Sequence, residues 1–259
     1  MEVVITPDYD AISRHAAGIV ARLLYKKPNA VLGLATGATP LGLYRELIRL
    51  HRQEGLDFSK VTTFNLDEYV GLPADHPQSY HRYMWDNLLS QVNVSPSRVH
   101  IPNGMVRDME EYCEWYEGEI ARAGGIDLQV LGIGRDGHIA FNEPGSSLGS
   151  RTRIKTLARE TVEDNARFFD RDEDVPRHAV TMGVGTIMEA RQCLLLASGS
   201  LKAEAVAATI EGPITCQVTA SALQLHRDAI AILDDQAAGR LKRREYYEWV
   251  FRHKESWLR

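Results

Sequence analysis

Ala30-Val31-Leu32-Gly33-Leu34-Ala35 runs without a break into Thr36-Gly37-Ala38-Thr39-Pro40, and this junction decides the fold. A short, uninterrupted apolar run is the pattern of a strand buried on both faces. Small and hydroxylated residues then make a turn, and Pro40 suits the first turn of a helix, which the pattern carries to about Arg52. Outward from this unit the alternation repeats. Before it, Glu2 to Thr6 reads as a strand, and Ile12, Ala16, Ile19, Val20, Leu23 and Leu24 recur at helical spacing. After it, Val61 to Leu66 is a β-rich run, and Asp67 to about Gln78 reads as a Pro- and Gly-containing loop. Ser79 is placed to cap a helix to about Ser90. Leu128 to Ile133, Ala179 to Met182, Cys193 to Ala197 and Ala229 to Leu233 read as further strands with helices between them. Leu241, Tyr246, Trp249 and Val250 suit the apolar face of a C-terminal helix. Strands alternating with helices predict an α/β fold: a mostly parallel sheet with helices on both faces, and a ligand at the carboxyl ends of its strands. No linker, repeat or low-complexity stretch interrupts the pattern, so residues 1–259 read as one domain.

Composition narrows the function classes. Hydrophobic residues are 44% and charged residues 25% of the chain, which suits a soluble globular protein and excludes a disordered chain, a collagen or a coiled-coil rod. The net charge of −5 argues against a nucleic-acid partner, which usually selects a basic excess. Cys113, Cys193 and Cys216 are far apart and form no CxxC, so neither a disulfide framework nor a cysteine zinc site is expected, and a reducing cytoplasm is. The first residues carry no basic region before an apolar stretch, so no signal peptide is expected. No apolar run reaches the roughly 18 residues of a membrane span.

Four segments carry chemistry. Thr36 to Thr39, between a strand and a helix, offers backbone N–H groups and two hydroxyls to an anion, without the Lys of a Walker loop. Asn65-Leu66-Asp67-Glu68-Tyr69 places two adjacent acids at a strand end; in extended chain their side chains diverge, so one can face a ligand as a base while the other makes a structural hydrogen bond. Gly132-Ile133-Gly134-Arg135-Asp136-Gly137-His138 matches G-x-G-x-x-G, but Pro144-Gly145 follows too soon for the helix that a dinucleotide fingerprint requires. It reads better as a catalytic loop, in which Asp136 and Glu143 orient His138 for proton exchange near neutral pH. The spacing matches no standard zinc signature, and no metal is expected. Ser198-Gly199-Ser200-Leu201-Lys202 is a second strand-to-helix anion site, and Arg151-Thr152-Arg153-Ile154-Lys155 is locally basic. Two anion sites in one fold suggest a phosphorylated small substrate.

These segments together resemble the glucosamine-6-phosphate deaminase family. The likeness runs through LGLATGATPLGLY, FNLDEYVGLPADHPQSYHRYM, GIGRDGHIAFNEPGSSLGSRTRIKTL, TMGVGTIMEA and ASGSLKAEA, and so through most of the chain. It implies a modified doubly wound (Rossmann-like) fold and conversion of glucosamine 6-phosphate and water to fructose 6-phosphate and ammonia, with no metal or organic cofactor. On the matching positions, Asp67 is the base between C2 and C1, His138 assists ring opening, and Asp136 and Glu143 support that His. The phosphate site draws on Thr36, Gly37, Ala38 and Thr39 with Arg167 and Lys202. Ala35 and Ala38 stand where many relatives have Pro and Gly. Some relatives are hexamers activated by N-acetylglucosamine 6-phosphate, and Ser146, Arg153 and Lys155 match residues of that allosteric site, whereas the tail YYEWVFRHKESWLR does not clearly match. A stretch from about Val162 to Val184 is a candidate lid.

The enzyme rivals are a 6-phosphogluconolactonase, which has no need of a C2–C1 proton shuttle, and a pentose-phosphate isomerase. A sugar-phosphate sensor of a transcription regulator is a third reading. It would need a DNA-binding helix-turn-helix, typically N-terminal, where here a strand is expected from residue 2.

Overall fold

The computed structural model describes residues 1–166, 169, 171 and 175–254. The chain begins with β1 (Glu2–Thr6), α1 (Tyr9–Lys26), β2 (Val31–Leu34), α2 (Leu41–Glu54), β3 (Thr62–Asn65), β4 (Asp67–Tyr69) and α3 (Tyr80–Asn87). It continues with β5 (Val99–His100), α4 (Met109–Arg122), β6 (Leu128–Leu131), β7 (Arg153–Thr156), α5 (Arg159–Ala166), β8 (His178–Thr181) and α6 (Val184–Met188). The last elements are β9 (Gln192–Ala197), α7 (Ala203–Glu211), β10 (Ala229–Asp234) and α8 (Arg244–Arg252).

Seven strands form one sheet in the order β1-β10-β9-β6-β2-β3-β5, and every pairing in it is parallel. Its central strands β2 and β6 are buried along their whole length, with Gln129 their one polar side chain, because helices surround the sheet. Leu32, Leu34, Phe64, Leu128 and Leu131 are among the largest fully buried side chains. Truncating one such Leu to Ala costs about 2–5 kcal/mol through lost transfer energy and the cavity left behind. The helix starts agree with their sequence signals: the Ser79 hydroxyl accepts the Arg82 N–H at 3.0 Å, and Asp8 and Asp108 cap α1 and α4 in the same way.

The strand order places the functional crevice. From β2 the chain proceeds to β3 and β5 on one side of the sheet, whereas from β6 it proceeds to β9 and β10 on the other. Connections diverge between adjacent β2 and β6, so the crevice opens above the carboxyl ends of these two strands.

A second sheet was not expected. Strands β4, β8 and β7 pair antiparallel, with Asp67 and Arg153 both opposite Thr181. The stretch from Asp67, read as loop to about Gln78, thus opens with a strand, and the basic Arg151–Lys155 stretch contains another. Both are short and mostly polar, so local propensity is weak, and pairing with a distant partner decides their conformation. This sheet rests on a small apolar cluster of Tyr69, Phe141, Leu157 and Ala179, which ties it to the loop after β6.

Candidate active site

One cleft of about 310 Å³ lies at that crevice. The Thr36–Pro40 turn after β2, Asp67, the Gly132–Arg135 turn and His138 after β6, and Lys202 after β9 converge on it. The turn after β2 bends through Gly37, whose φ of +97° lies in the left-handed region that glycine tolerates. Ala38 is not among the residues with positive φ, so its methyl group is compatible with the turn.

Asp67 and Glu68 diverge as adjacent strand residues do. Asp67 lines the cleft. Glu68 turns away and accepts three backbone N–H groups, from Tyr69, Tyr80 and His81, at 2.8–2.9 Å. It therefore anchors the start of α3 beside the cleft. Burial pushes the Asp67 carboxyl up to about 8, and the neighbouring Glu68 charge adds to the rise. Burial also raises Glu68, against the lowering effect of its three N–H donors.

The loop after β6 holds the second group of acids. His138 Nδ1 lies 2.7 Å from Asp136 Oδ1 and 3.5 Å from Glu143 Oε2. Asp136 Oδ1 also accepts the His138 backbone N–H at 3.1 Å. Burial works to raise Asp136, but the His138 ring and N–H outweigh it, and the carboxyl ends below its ordinary range. The other oxygen of Glu143 accepts Thr161 Oγ1 at 2.6 Å and the Ala158 N–H at 3.2 Å, which ties the loop to the start of α5. A Cβ on Gly134 would lie 2.4–2.6 Å from three atoms of the His138 ring. That glycine is the seat of the imidazole, and the chain from Gly132 to Gly145 forms turns and bends with no helix start. The ligand atoms of Asp136, His138 and Glu143 all lie within 4.8 Å of one another, a spacing that suits shared protons and also suits a cation.

The remaining candidates are placed as follows. Lys202 ends a short turn of 3₁₀ helix ahead of α7 and lines the cleft. Arg167 lies outside the described residues, as does part of the candidate lid. Arg153 and Lys155 share the less exposed face of β7. Arg153 donates to Asn142 Oδ1 at 3.0 Å and to the Arg151 carbonyl at 3.2 Å. Ser146 is buried, and its hydroxyl has no partner among the described residues. These three residues lie apart from the cleft lining. Sequence reasoning missed Tyr80, Arg135 and Thr161, which also line the cleft. Arg135 stood inside a segment already singled out, and Tyr80 followed the Ser79 cap, but neither carried a signal of its own.

Comparison with known proteins places the chain in a family. Residues 9–230 match the family of glucosamine-6-phosphate isomerases/6-phosphogluconolactonase. The glucosamine-6-phosphate deaminase of Thermoanaerobacter pseudethanolicus is 53% identical over 238 residues, covering 92% of this chain and 94% of that protein. That of Cellvibrio japonicus is 50% identical over 258 residues, covering 100% and 98%. A solved monomeric glucosamine-6-phosphate deaminase superposes with a TM-score of 0.91 at 49% identity, over 93% of this chain and 100% of its own. The 6-phosphogluconolactonase of Trypanosoma cruzi, at 22% identity and a TM-score of 0.74 over 93% of this chain and 97% of its own, shares the fold. With a family match over most of its length and relatives near half identity across nearly all of it, the chain belongs to the glucosamine-6-phosphate isomerase/6-phosphogluconolactonase family.

Proposed function

We propose that this chain converts glucosamine 6-phosphate and water to fructose 6-phosphate and ammonia. The observation that carries the reading is a buried carboxyl, Asp67, raised to about 8 and set in one cleft with His138, which Asp136 holds, and an anion-binding turn. A lactone hydrolysis needs no proton shuttle between adjacent carbons, whereas the isomerising deamination does, and Asp67 supplies a base for it.

The phosphate is held by the Thr36–Thr39 turn with Lys202, and Arg167 is assigned to the same group. Held there, the sugar presents its reacting end to Asp67 and His138, and binding energy remote from the reaction serves orientation. His138 takes the proton of the anomeric hydroxyl and returns one to the ring oxygen, which opens the ring. Asp136 and Glu143 hold the imidazole in place. Asp67 removes the C2 proton of the aldehyde, and the aldehyde oxygen takes a proton from solvent, giving an enol at C1–C2. Asp67 returns its proton to C1, leaving an iminium at C2. Water adds to C2, its two protons pass to the nitrogen, and ammonium leaves as the C2 carbonyl forms, giving ammonia when it returns one proton to solvent. No step calls for a metal or an organic cofactor.

Ser146, Arg153 and Lys155 are assigned to a second phosphate site that takes N-acetylglucosamine 6-phosphate as activator. The buried hydroxyl of Ser146 and the two cations on one face of β7 support it. Homo-oligomerisation, hexameric in some relatives, goes with that assignment, although the solved relative at 49% identity is monomeric.

The test is to incubate the purified protein with glucosamine 6-phosphate and chelator and follow both products. Ammonia and fructose 6-phosphate should appear in equal amounts; absence of both from folded protein sinks the reading. Rate curves with and without the acetylated sugar phosphate, together with the mass in solution, test the effector and the assembly. A hyperbolic curve unchanged by the effector removes the second site.

A further inference from the structure

The anion-binding turn is held from behind by three tyrosines that come from three helices. Tyr44, on α2, donates to the Ala35 carbonyl at 2.5 Å. Tyr83, on α3, donates to the Gly37 carbonyl at 2.6 Å. Tyr9, on α1, lies 3.0 Å from both the Ala38 and Thr39 carbonyls and accepts the Gly42 N–H at 2.7 Å. None of the three rings lines the cleft.

A planar trans peptide points its N–H opposite to its carbonyl, and no peptide bond among the described residues is cis. Drawing back the carbonyls of Ala35, Gly37 and Ala38 therefore turns forward the N–H groups of Thr36, Ala38 and Thr39, the residues that line the cleft. Among the described residues, none of these three N–H groups donates to a protein acceptor. The Thr39 carbonyl precedes Pro40, so its drawing back exposes no donor but removes an oxygen that would repel an anion. Burial raises Tyr44 and Tyr83, so both hydroxyls stay protonated and remain donors.

We infer that Tyr9, Tyr44 and Tyr83 are positioning residues for phosphate: their hydroxyls bind the turn's carbonyls and so aim its N–H groups at the anion. This rests on the reading that the turn holds the substrate phosphate. Tyr83 matters most. The peptide it holds follows Gly37, the residue of the turn that rotates most freely, and a flipped peptide would present an oxygen where the N–H of Ala38 belongs.

The experiment titrates inorganic phosphate into wild type, Tyr83→Phe, Tyr9→Phe and Lys202→Ala by calorimetry, with melting temperatures and kinetics on the same samples. The phenylalanines keep the rings and remove only the hydroxyls. The expected result is about tenfold weaker phosphate binding for Tyr83→Phe and a smaller loss for Tyr9→Phe. KM should rise in step while kcat changes less than about threefold. A merely structural role would lower melting temperature and leave phosphate affinity alone. Phosphate affinity within twofold of wild type in both folded variants, with Lys202→Ala impaired, overturns the inference while the phosphate site stands. Affinity unchanged by Lys202→Ala places the phosphate elsewhere and overturns both. Weakened phosphate binding by the tyrosine variants, with no product from wild type, upholds the inference and removes the proposed reaction.

Discussion

Two acid-bearing segments face one cleft, and they treat their carboxyls in opposite ways. Asp67 sits on a short strand, buried, with another acid beside it; its carboxyl rises to about 8. Asp136 sits in an irregular loop beside an imidazole, and its carboxyl falls below the ordinary range. The first environment makes a group that can take and return a proton near neutral pH. The second makes a fixed charge that orients a histidine. Acid and base duties are divided by environment, since the residue type is the same.

The largest expected effect breaks the first half of this contrast. Asp67→Asn should lower kcat by about 10³–10⁴-fold with KM within a few-fold, measured by ammonia release. In wild type the base must be ionised, so kcat/KM should fall as pH drops below about 8, approaching tenfold per unit. Stability has the opposite sign. The folded state keeps a proton on Asp67 that the unfolded chain releases above its ordinary value of 3.8. That stabilisation is complete below the unfolded value and is lost as pH rises to about 8. Asp67→Asn should therefore match wild type near pH 4 and exceed it by up to about 6 kcal/mol at pH 9, read from denaturant unfolding. A stability gap that shrinks with rising pH would show that burial does not govern this carboxyl.

The next effect breaks the second half. Gly134→Ala places a methyl within 2.4–2.6 Å of three His138 ring atoms, so the ring must move off Asp136. A displacement of that order should cost about 10²-fold in kcat, with the fold retained. Activity near wild type would show that the seat can shift without harm. The smallest effect sharpens the contrast between a paired strand and an irregular loop. Ala140, two residues beyond His138, has a φ of +50°, alone among the described non-glycine residues with a positive value. Ala140→Gly should relieve about 1 kcal/mol of backbone strain, seen as a higher melting temperature. A lower one would show that the methyl's packing against the core outweighs the strain.

Much of the architecture was legible in the chain itself. Strands buried on both faces are mostly apolar, so the run from Ala30 to Ala35 and its counterparts announced the central sheet without knowledge of their partners. The segments at its carboxyl ends stood out because Asp67, Asp136, His138 and Glu143 are unusual company at strand ends. Tertiary structure alone decided the rest. Strands β4 and β7 exist through pairing with β8, far from β4 in the chain, and polar strands of three or four residues carry no periodicity of their own. The rise of Asp67 depends on what surrounds it in three dimensions, which no local pattern encodes. The seating of His138 over Gly134 is a contact across a turn, and the three tyrosine hydroxyls behind the phosphate turn come from three separate helices. Periodicity records which residues are buried; the direction of a hydrogen bond and the dielectric around a carboxyl arise only once distant segments meet.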